Sequence, residues 1–248
     1  MTDPSVSADT PAARTGRYGI DAPGVVRMFF IGGGAAAVVA IVGLLAGSPS
    51  TITSAAIGIA LVALGEAGWM LYSSKVGKLK ERVSIIDQAA LEDSDTVLDV
   101  GCGRGLLLTE AARRVPHGLA VGIDLWDEED QSGNTPEATA KNAEREGVVD
   151  RVEIKTGDAR ELPFGDEFFD AVVTTMTLHN IRDADGRAKA VREMVRVLRP
   201  GGRIVIVDMA KTEEHVETLG EAGLLEVERG PRVWRMFPPV RYVTAAKP

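Results

Sequence analysis

Glycine at every second position of Gly101-Cys102-Gly103-Arg104-Gly105, directly after the run Val97-Leu98-Asp99-Val100, constrains this chain more than any other feature. The run reads as a buried strand, and a helix opens at Leu106. Glycines in the joining turn adopt backbone angles closed to other residues and bring the main chain close to a ligand. Open α/β sheets hold nucleotide-like cofactors on such a turn, between a parallel strand and a helix N-terminus. The dinucleotide fingerprint G-x-G-x-x-G would need glycine at position 106, where this chain has Leu106. That spacing counts against an NAD-dependent oxidoreductase.

Strand-like and helix-like stretches then alternate. Strands are expected at about 96–100, 119–123, 152–155, 169–174 and 203–208, with a final pair near 224–230 and 239–246. Gly118, Gly147 and Pro200-Gly201-Gly202 punctuate them. The pattern predicts an α/β domain over residues 96–248, doubly wound, with a mostly parallel seven-stranded sheet. Val121-Gly122-Ile123 ends in Asp124, 23 residues beyond Gly101. A carboxylate at that strand end can accept both ribose hydroxyls of a nucleoside. Leu125 and Trp126 offer an apolar wall for a base, although Trp126 fits equally well packed beneath the loop. The stretch Trp126–Thr135 holds Asp127, Glu128, Glu129 and Asp130 and reads either as a lid or as a solvated surface loop.

Three later stretches complete the pattern: Thr156-Gly157-Asp158-Ala159-Arg160-Glu161-Leu162-Pro163-Phe164, Phe169-Asp170-Ala171-Val172-Val173 and Val197-Leu198-Arg199-Pro200-Gly201-Gly202-Arg203. Over residues 84–208 these motifs and the glycine turn resemble the class I S-adenosylmethionine (SAM) dependent methyltransferases. The similarity is to the ubiquinone/menaquinone-biosynthesis type. It implies a Rossmann-like fold with SAM as cofactor. It also implies a cofactor site built from Asp99, Gly101, Cys102, Gly103, Gly105, Asp124, Leu125, Asp158, Ala159 and Thr175. In that family the acid matching Asp158 receives the adenine amino group, and the amide of the next residue, here Ala159, reaches a ring nitrogen. The loop after Asp124 departs from the family by its length.

The segment Thr174-Thr175-Met176-Thr177-Leu178-His179-Asn180 follows the fourth strand and reaches the carboxyl ends of the strands, where ligands bind. His179 is therefore the candidate catalytic residue, as acid, base or acceptor-orienting group. The competing reading is a buried, hydrogen-bonded histidine. His117 and His215 read as loop or surface residues. Cys102 is the one cysteine, which excludes an internal disulfide, and its place in the glycine turn suits packing rather than nucleophilic chemistry. No metal-ligand spacing occurs, so no metal is expected.

The N-terminal third is of a different kind. No charged residue occurs from Met28 to Gly65, and Gly47-Ser48-Pro49-Ser50 interrupts the stretch with a turn. Met28–Ala46 and Thr51–Tyr72 are each long enough to cross a bilayer core of roughly 30 Å as helices. Arg14, Arg17 and Arg27 precede the first, and Lys75, Lys78, Lys80 and Arg82 follow the second. Positive charge on the outer flanks places both termini in the cytoplasm and the enzyme on the cell membrane. A signal peptide and a buried helical pair in a soluble oligomer fit less well. Glycines 32, 33, 34, 43, 58 and 65 are expected to let the two helices approach, and Arg27 to pair with Glu66.

The organisation expected is thus a disordered tail over 1–23, a transmembrane hairpin over 24–72, a helical connector over 73–95 and the SAM-binding domain beyond. The first 80 residues carry six Lys/Arg and four Asp/Glu, so against a net charge of −8 the remainder, with 22 bases and 32 acids, carries −10. An acidic soluble part argues against a nucleic-acid substrate. The expected partners are the bilayer and a small apolar, amphipathic or lipid-like methyl acceptor. The alternative is a membrane-bound SAM-binding scaffold or sensor without turnover.

Overall fold

The computed structural model describes residues 16–47, 50–127 and 133–248. Most of the expected tail, and the middle of the acidic stretch 126–135, lie outside these residues.

The chain opens with helices α1 (Pro23–Leu45) and α2 (Thr51–Tyr72). Pro23 begins α1, where its missing N–H would have had no partner. Ser50 caps α2, its hydroxyl accepting from the Thr53 N–H at 3.3 Å. Both helices are long and apolar enough to cross a membrane, and Ile31, Leu45, Ile52, Leu61 and Val62 on them are exposed. They pack on each other through two of the expected glycines. A Cβ at Gly33 would lie 2.9 Å from Leu64 Cγ, and one at Gly43 only 2.2 Å from Thr53 Oγ1. Gly32, Gly34, Gly58 and Gly65 instead face open space. The expected Arg27–Glu66 pair is absent among the described residues, and Glu66 Oε2 is buried without a hydrogen-bond partner.

A π turn at Ser73–Gly77 carries α2 straight into α3 (Lys78–Gln88). Residues expected to form a connector belong to the packed domain. Ile85 and Ile86 are fully buried in its core, because α3 presents its apolar stripe to the sheet. The fully buried guanidinium of Arg82 lies 3.4 Å from each of Glu110 and Glu146. It also donates to the Tyr18 hydroxyl at 2.9 Å. Tyr18 is 4% exposed, so the end of the expected disordered tail is in fact packed. The main-chain N–H groups of Gly16 and Arg17 donate to Glu146 and Asn142. A buried guanidinium needs more than one partner, and the chain before α1 supplies one of them.

The remaining elements alternate: β1 (Thr96–Val100), α4 (Leu106–Arg114), β2 (Leu119–Asp124), α5 (Pro136–Glu146), β3 (Val152–Thr156), β4 (Phe169–Thr175), α6 (Ala184–Val197), β5 (Leu198–Asp208), α7 (Thr212–Glu221), β6 (Leu225–Val233) and β7 (Val240–Ala246). They form one seven-stranded sheet in the order β3-β2-β1-β4-β5-β7-β6. Strands β1 to β5 run parallel, and β7 is antiparallel to its neighbours β5 and β6. Successive side chains alternate between the faces. Leu98, Val100, Val172 and Ile204 pack with Val191, Met194 and Leu219 on one side. Val97, Val173 and Val205 pack with Ile85, Leu107 and Leu108 on the other. The chain winds outward in both directions from β1, between β2 and β4, and that reversal opens a crevice at the carboxyl ends of the strands.

Candidate active site

A cavity of about 660 Å³ occupies that crevice, within the usual size of small-molecule sites. Its floor is the turn after β1. Gly101 has φ +70°, and a Cβ there would lie 2.2 Å from the Thr177 side chain, so the turn and the segment after β4 close on each other only around glycine. The Gly103 N–H donates to Asp124 Oδ2 at 2.8 Å. Asp124 Oδ1 accepts from the Trp126 N–H at 2.7 Å and from Asn134 Nδ2 at 3.1 Å. The strand-end carboxylate thus organises both neighbouring loops. With three bonds made, it keeps acceptor capacity toward the cavity.

Gly101, Cys102, Gly103, Asp124, Leu125, Asp158, Ala159, Thr175 and His179 all line the cavity. Asp99 and Gly105 do not; they shape the turn from behind. Asp99 is 2% exposed and accepts from the Leu108 N–H at 2.9 Å. Burial raises its pKa to about 8, against the pull of that N–H, with the Asp124 charge adding to the rise. Gly105, with φ +79°, starts α4. Burial raises the Cys102 thiol well above its ordinary value, which leaves it inert at neutral pH. The Asp158 carboxyl is held low by hydrogen bonds from the Arg160 side chain, 2.6 Å away. Trp126 Nε1 donates to Thr156 Oγ1, and the ring packs against the core instead of lining the cavity.

His179 sits in a single 3-10 turn, Leu178–Asn180, beyond β4. Its Nδ1 lies 2.7 Å from Asp208 Oδ1, at the end of β5. Asp208 is 1% exposed and also accepts from the His179 and Met209 N–H groups. The Nδ1 contact lacks hydrogen-bond geometry, so Asp208 holds this turn through the His179 main-chain N–H while its carboxylate stands beside the imidazole. His215, expected at the surface, is 1% exposed on α7, and burial lowers its pKa. His117 is exposed, as expected.

Sequence reasoning missed Asp208, whose partner lies in a distant segment. It also missed the wall formed by Tyr18, Asp21 and Lys78 on one side and Met236 and Phe237 on the other. Lys78 Nζ donates to Asp21 Oδ1 at 2.8 Å and to the Tyr18 carbonyl at 2.9 Å. Lys78, read only as a flanking charge, meets Asp21 at the cavity.

The family described as "Methyltransferase domain" matches residues 98–206, which contain the β1 turn, Asp124, Asp158 and His179. This segment is similar to the class I SAM-dependent methyltransferase domains. The demethylmenaquinone methyltransferase of Roseiflexus castenholzii is 35% identical over 56% of this chain and 53% of its own length. A ubiquinone/menaquinone biosynthesis C-methyltransferase of Idiomarina loihiensis is 35% identical over 57% of this chain and 53% of its own. The chain therefore spans about half the length of these curated relatives. Among solved structures, a SAM-dependent methyltransferase from Aquifex aeolicus superposes with a TM-score of 0.55 at 19% identity, covering 73% of this chain and 97% of that one. The [4+2]-cyclase SpnF superposes with a TM-score of 0.57 at 21% identity, covering 68% and 81%. These two likenesses concern the fold, which serves more than one chemistry. The cavity suits SAM: it has a strand-end carboxylate for hydroxyls and a glycine turn for close approach. Thr175 Oγ1, a buried hydroxyl without a protein partner, lines it as well.

Proposed function

We propose that this chain is a membrane-anchored SAM-dependent methyltransferase acting on an apolar or amphipathic acceptor dissolved in the bilayer. A quinone-type ring is the acceptor class suggested by the names of its relatives. The observation that carries the reading is one cavity shared by the β1 turn, Asp124 and the His179–Asp208 pair, with Met236 and Phe237 in its wall.

When bound, SAM supplies an electrophilic methyl on a cationic sulfur. Asp124 would accept hydrogen bonds from the ribose hydroxyls, and Asp158, Ala159 and Leu125, which line the same cavity, would hold the adenine. His179, held by Asp208, takes the proton from an acceptor hydroxyl, or orients that hydroxyl, so that the ring carbon is nucleophilic. The apolar wall excludes water and aligns the acceptor. Helices α1 and α2 anchor the domain on the cytoplasmic side, since Lys and Arg flank the hairpin at its outer ends.

The test is incubation of the full chain, in vesicles made from a cell lipid extract, with methyl-labelled SAM. Label should enter the organic phase. Bound SAM with no labelled product would favour the scaffold reading. For the anchor, a Ser50→Cys protein should react with an impermeant thiol reagent in intact cells. The native Cys102 is 5% exposed and its thiol is not ionised, so it gives little background. Labelling of Thr15→Cys instead would overturn the topology.

A further inference from the structure

The helical run leaving the hairpin grips the loop between β6 and β7 at four successive points. Trp69 Nε1 donates to the Trp234 carbonyl at 3.1 Å, and the Phe237 N–H donates to Ser73 Oγ at 2.7 Å. A Cβ at Gly77 would lie 2.0 Å from the Arg235 carbonyl oxygen. Arg235 Nη1 lies 2.7 Å from Glu81 Oε2, and the Tyr242 hydroxyl also binds Glu81. Trp69, near the end of the apolar helix α2, stacks on Trp234 with ring centroids 5.8 Å apart and meets Phe237 edge-on at 4.9 Å. Trp234 is 61% exposed, whereas Met236 is buried, and Phe237 lines the cavity. The three rings therefore make a continuous aromatic track from the end of the hairpin to the cavity wall.

We infer that Trp69, Trp234 and Phe237 form a subsite for the apolar tail of the acceptor, beside the route from the bilayer into the cavity. The inference rests on the bilayer placement of α1 and α2 proposed above. Indole rings at a helix end sit at the headgroup level, where one face is apolar and the other wet. An acceptor whose ring enters the cavity past Phe237 lays its first tail units along Trp234 and Trp69, while the rest of the tail stays in the lipid. This selects a planar head bearing a long hydrocarbon tail over the same head alone. Tethering alone, by contrast, would raise the local concentration of every membrane-dissolved compound alike.

The test uses the full chain in phosphatidylcholine vesicles with two probes, a 1,4-naphthoquinone carrying an isoprenoid tail and the same ring without a tail. Quinones quench indole emission, so binding is read as saturable quenching. Trp234→Ala should raise the half-saturating concentration of the tailed probe at least tenfold, and Trp234→Phe should restore it to within threefold. The tail-less probe should bind all three proteins alike. S-adenosylhomocysteine affinity should be equal in all three, which confirms the fold. Non-saturable quenching of the parent protein overturns the subsite. So does a tailed-probe affinity unmoved by Trp234→Ala, or an equal shift for both probes. Methyl transfer from labelled SAM is measured on matched samples in which dithionite has reduced the tailed probe to its hydroquinone, which carries the ring hydroxyl that the proposed mechanism deprotonates. Tail-dependent binding without transfer would overturn the methyltransferase reading and leave the subsite standing.

Discussion

Replacing Asp124 by alanine is the sharpest test of the cofactor assignment, because its carboxylate has two separable roles. Toward the cavity it would lose the charged acceptor of the ribose hydroxyls. A hydrogen bond to a charged group contributes about 1.5–3 kcal/mol, and 1.4 kcal/mol is tenfold in affinity, so S-adenosylhomocysteine should bind roughly 10- to 150-fold more weakly. Toward the protein it would leave the Gly103 and Trp126 N–H groups and Asn134 Nδ2 without their acceptor. Asn134 is buried but Gly103 and Trp126 are only partly so, and water can replace part of what is lost, so the expected cost in stability is about 1–2 kcal/mol. Asp124→Asn keeps one acceptor oxygen for the loops and loses the charge. It should lie nearer the parent in melting temperature than in affinity. Calorimetry with S-adenosylhomocysteine and a melting curve on each full-length protein separate the two effects. Affinity within twofold of the parent in a folded Asp124→Ala protein would refute the ribose role and leave Asp124 a loop organiser.

Three further outcomes follow from the same geometry. His179→Ala should lower turnover by about 100-fold or more while S-adenosylhomocysteine affinity stays within threefold, as removal of an acid–base group does; undiminished turnover would make it a structural histidine. Asp99 binds a proton in the folded protein up to a pKa of about 8, against the ordinary 3.8. The folded state therefore holds more protons than the unfolded state between these values, and stability should fall as pH rises through that window. Melting curves at pH 5 and pH 8 should show a flatter dependence for Asp99→Asn, and an unchanged dependence would mean that the carboxyl ionises normally. Tyr18→Phe removes a hydroxyl that bonds Arg82, Glu146 and Thr109 at 2.7–2.9 Å. It should cost about 1–3 kcal/mol and lower the melting temperature by several degrees, whereas a dispensable tail would leave it unchanged.

The sheet was legible from residue 96 onward because a buried parallel strand leaves an unbroken apolar run, and the turns between strands carry glycine. The β1 turn, Asp124 and Asp158 were legible for a related reason: each follows a strand end at a fixed distance, and the fold brings strand ends together. What the sequence hid was contact between distant segments. Arg82 looked like one of several flanking charges, yet it is fully buried between Glu110 and Glu146. Tyr18 sat in a polar stretch whose composition suggested disorder, and only the buried guanidinium explains why it packs. A boundary at residue 73 therefore cuts through the domain, since a chain starting there lacks Tyr18 and Asp21 from the cavity wall. His215 was misread because α7 turns it inward, against a sheet that local sequence does not reveal. Among the glycines of the hairpin, periodicity alone could not tell the two in contact from the four facing outward.

The π turn has a consequence for how the hairpin is set on the α/β domain. Trp69, Ser73, Gly77 and Glu81 recur every fourth residue. In an uninterrupted α-helix of 3.6 residues per turn, such a series drifts around the axis by about 40° at each step. The wider turn at Ser73–Gly77 takes up an extra residue and slows that drift, so all four positions meet the same loop. The azimuth of the cavity about the axis of α2 is thereby set by residue count. No flexible joint intervenes to let the domain swivel. Chain length in five residues, together with the side chains of Trp69, Ser73 and Glu81, determines which flank of the α/β domain faces the hairpin.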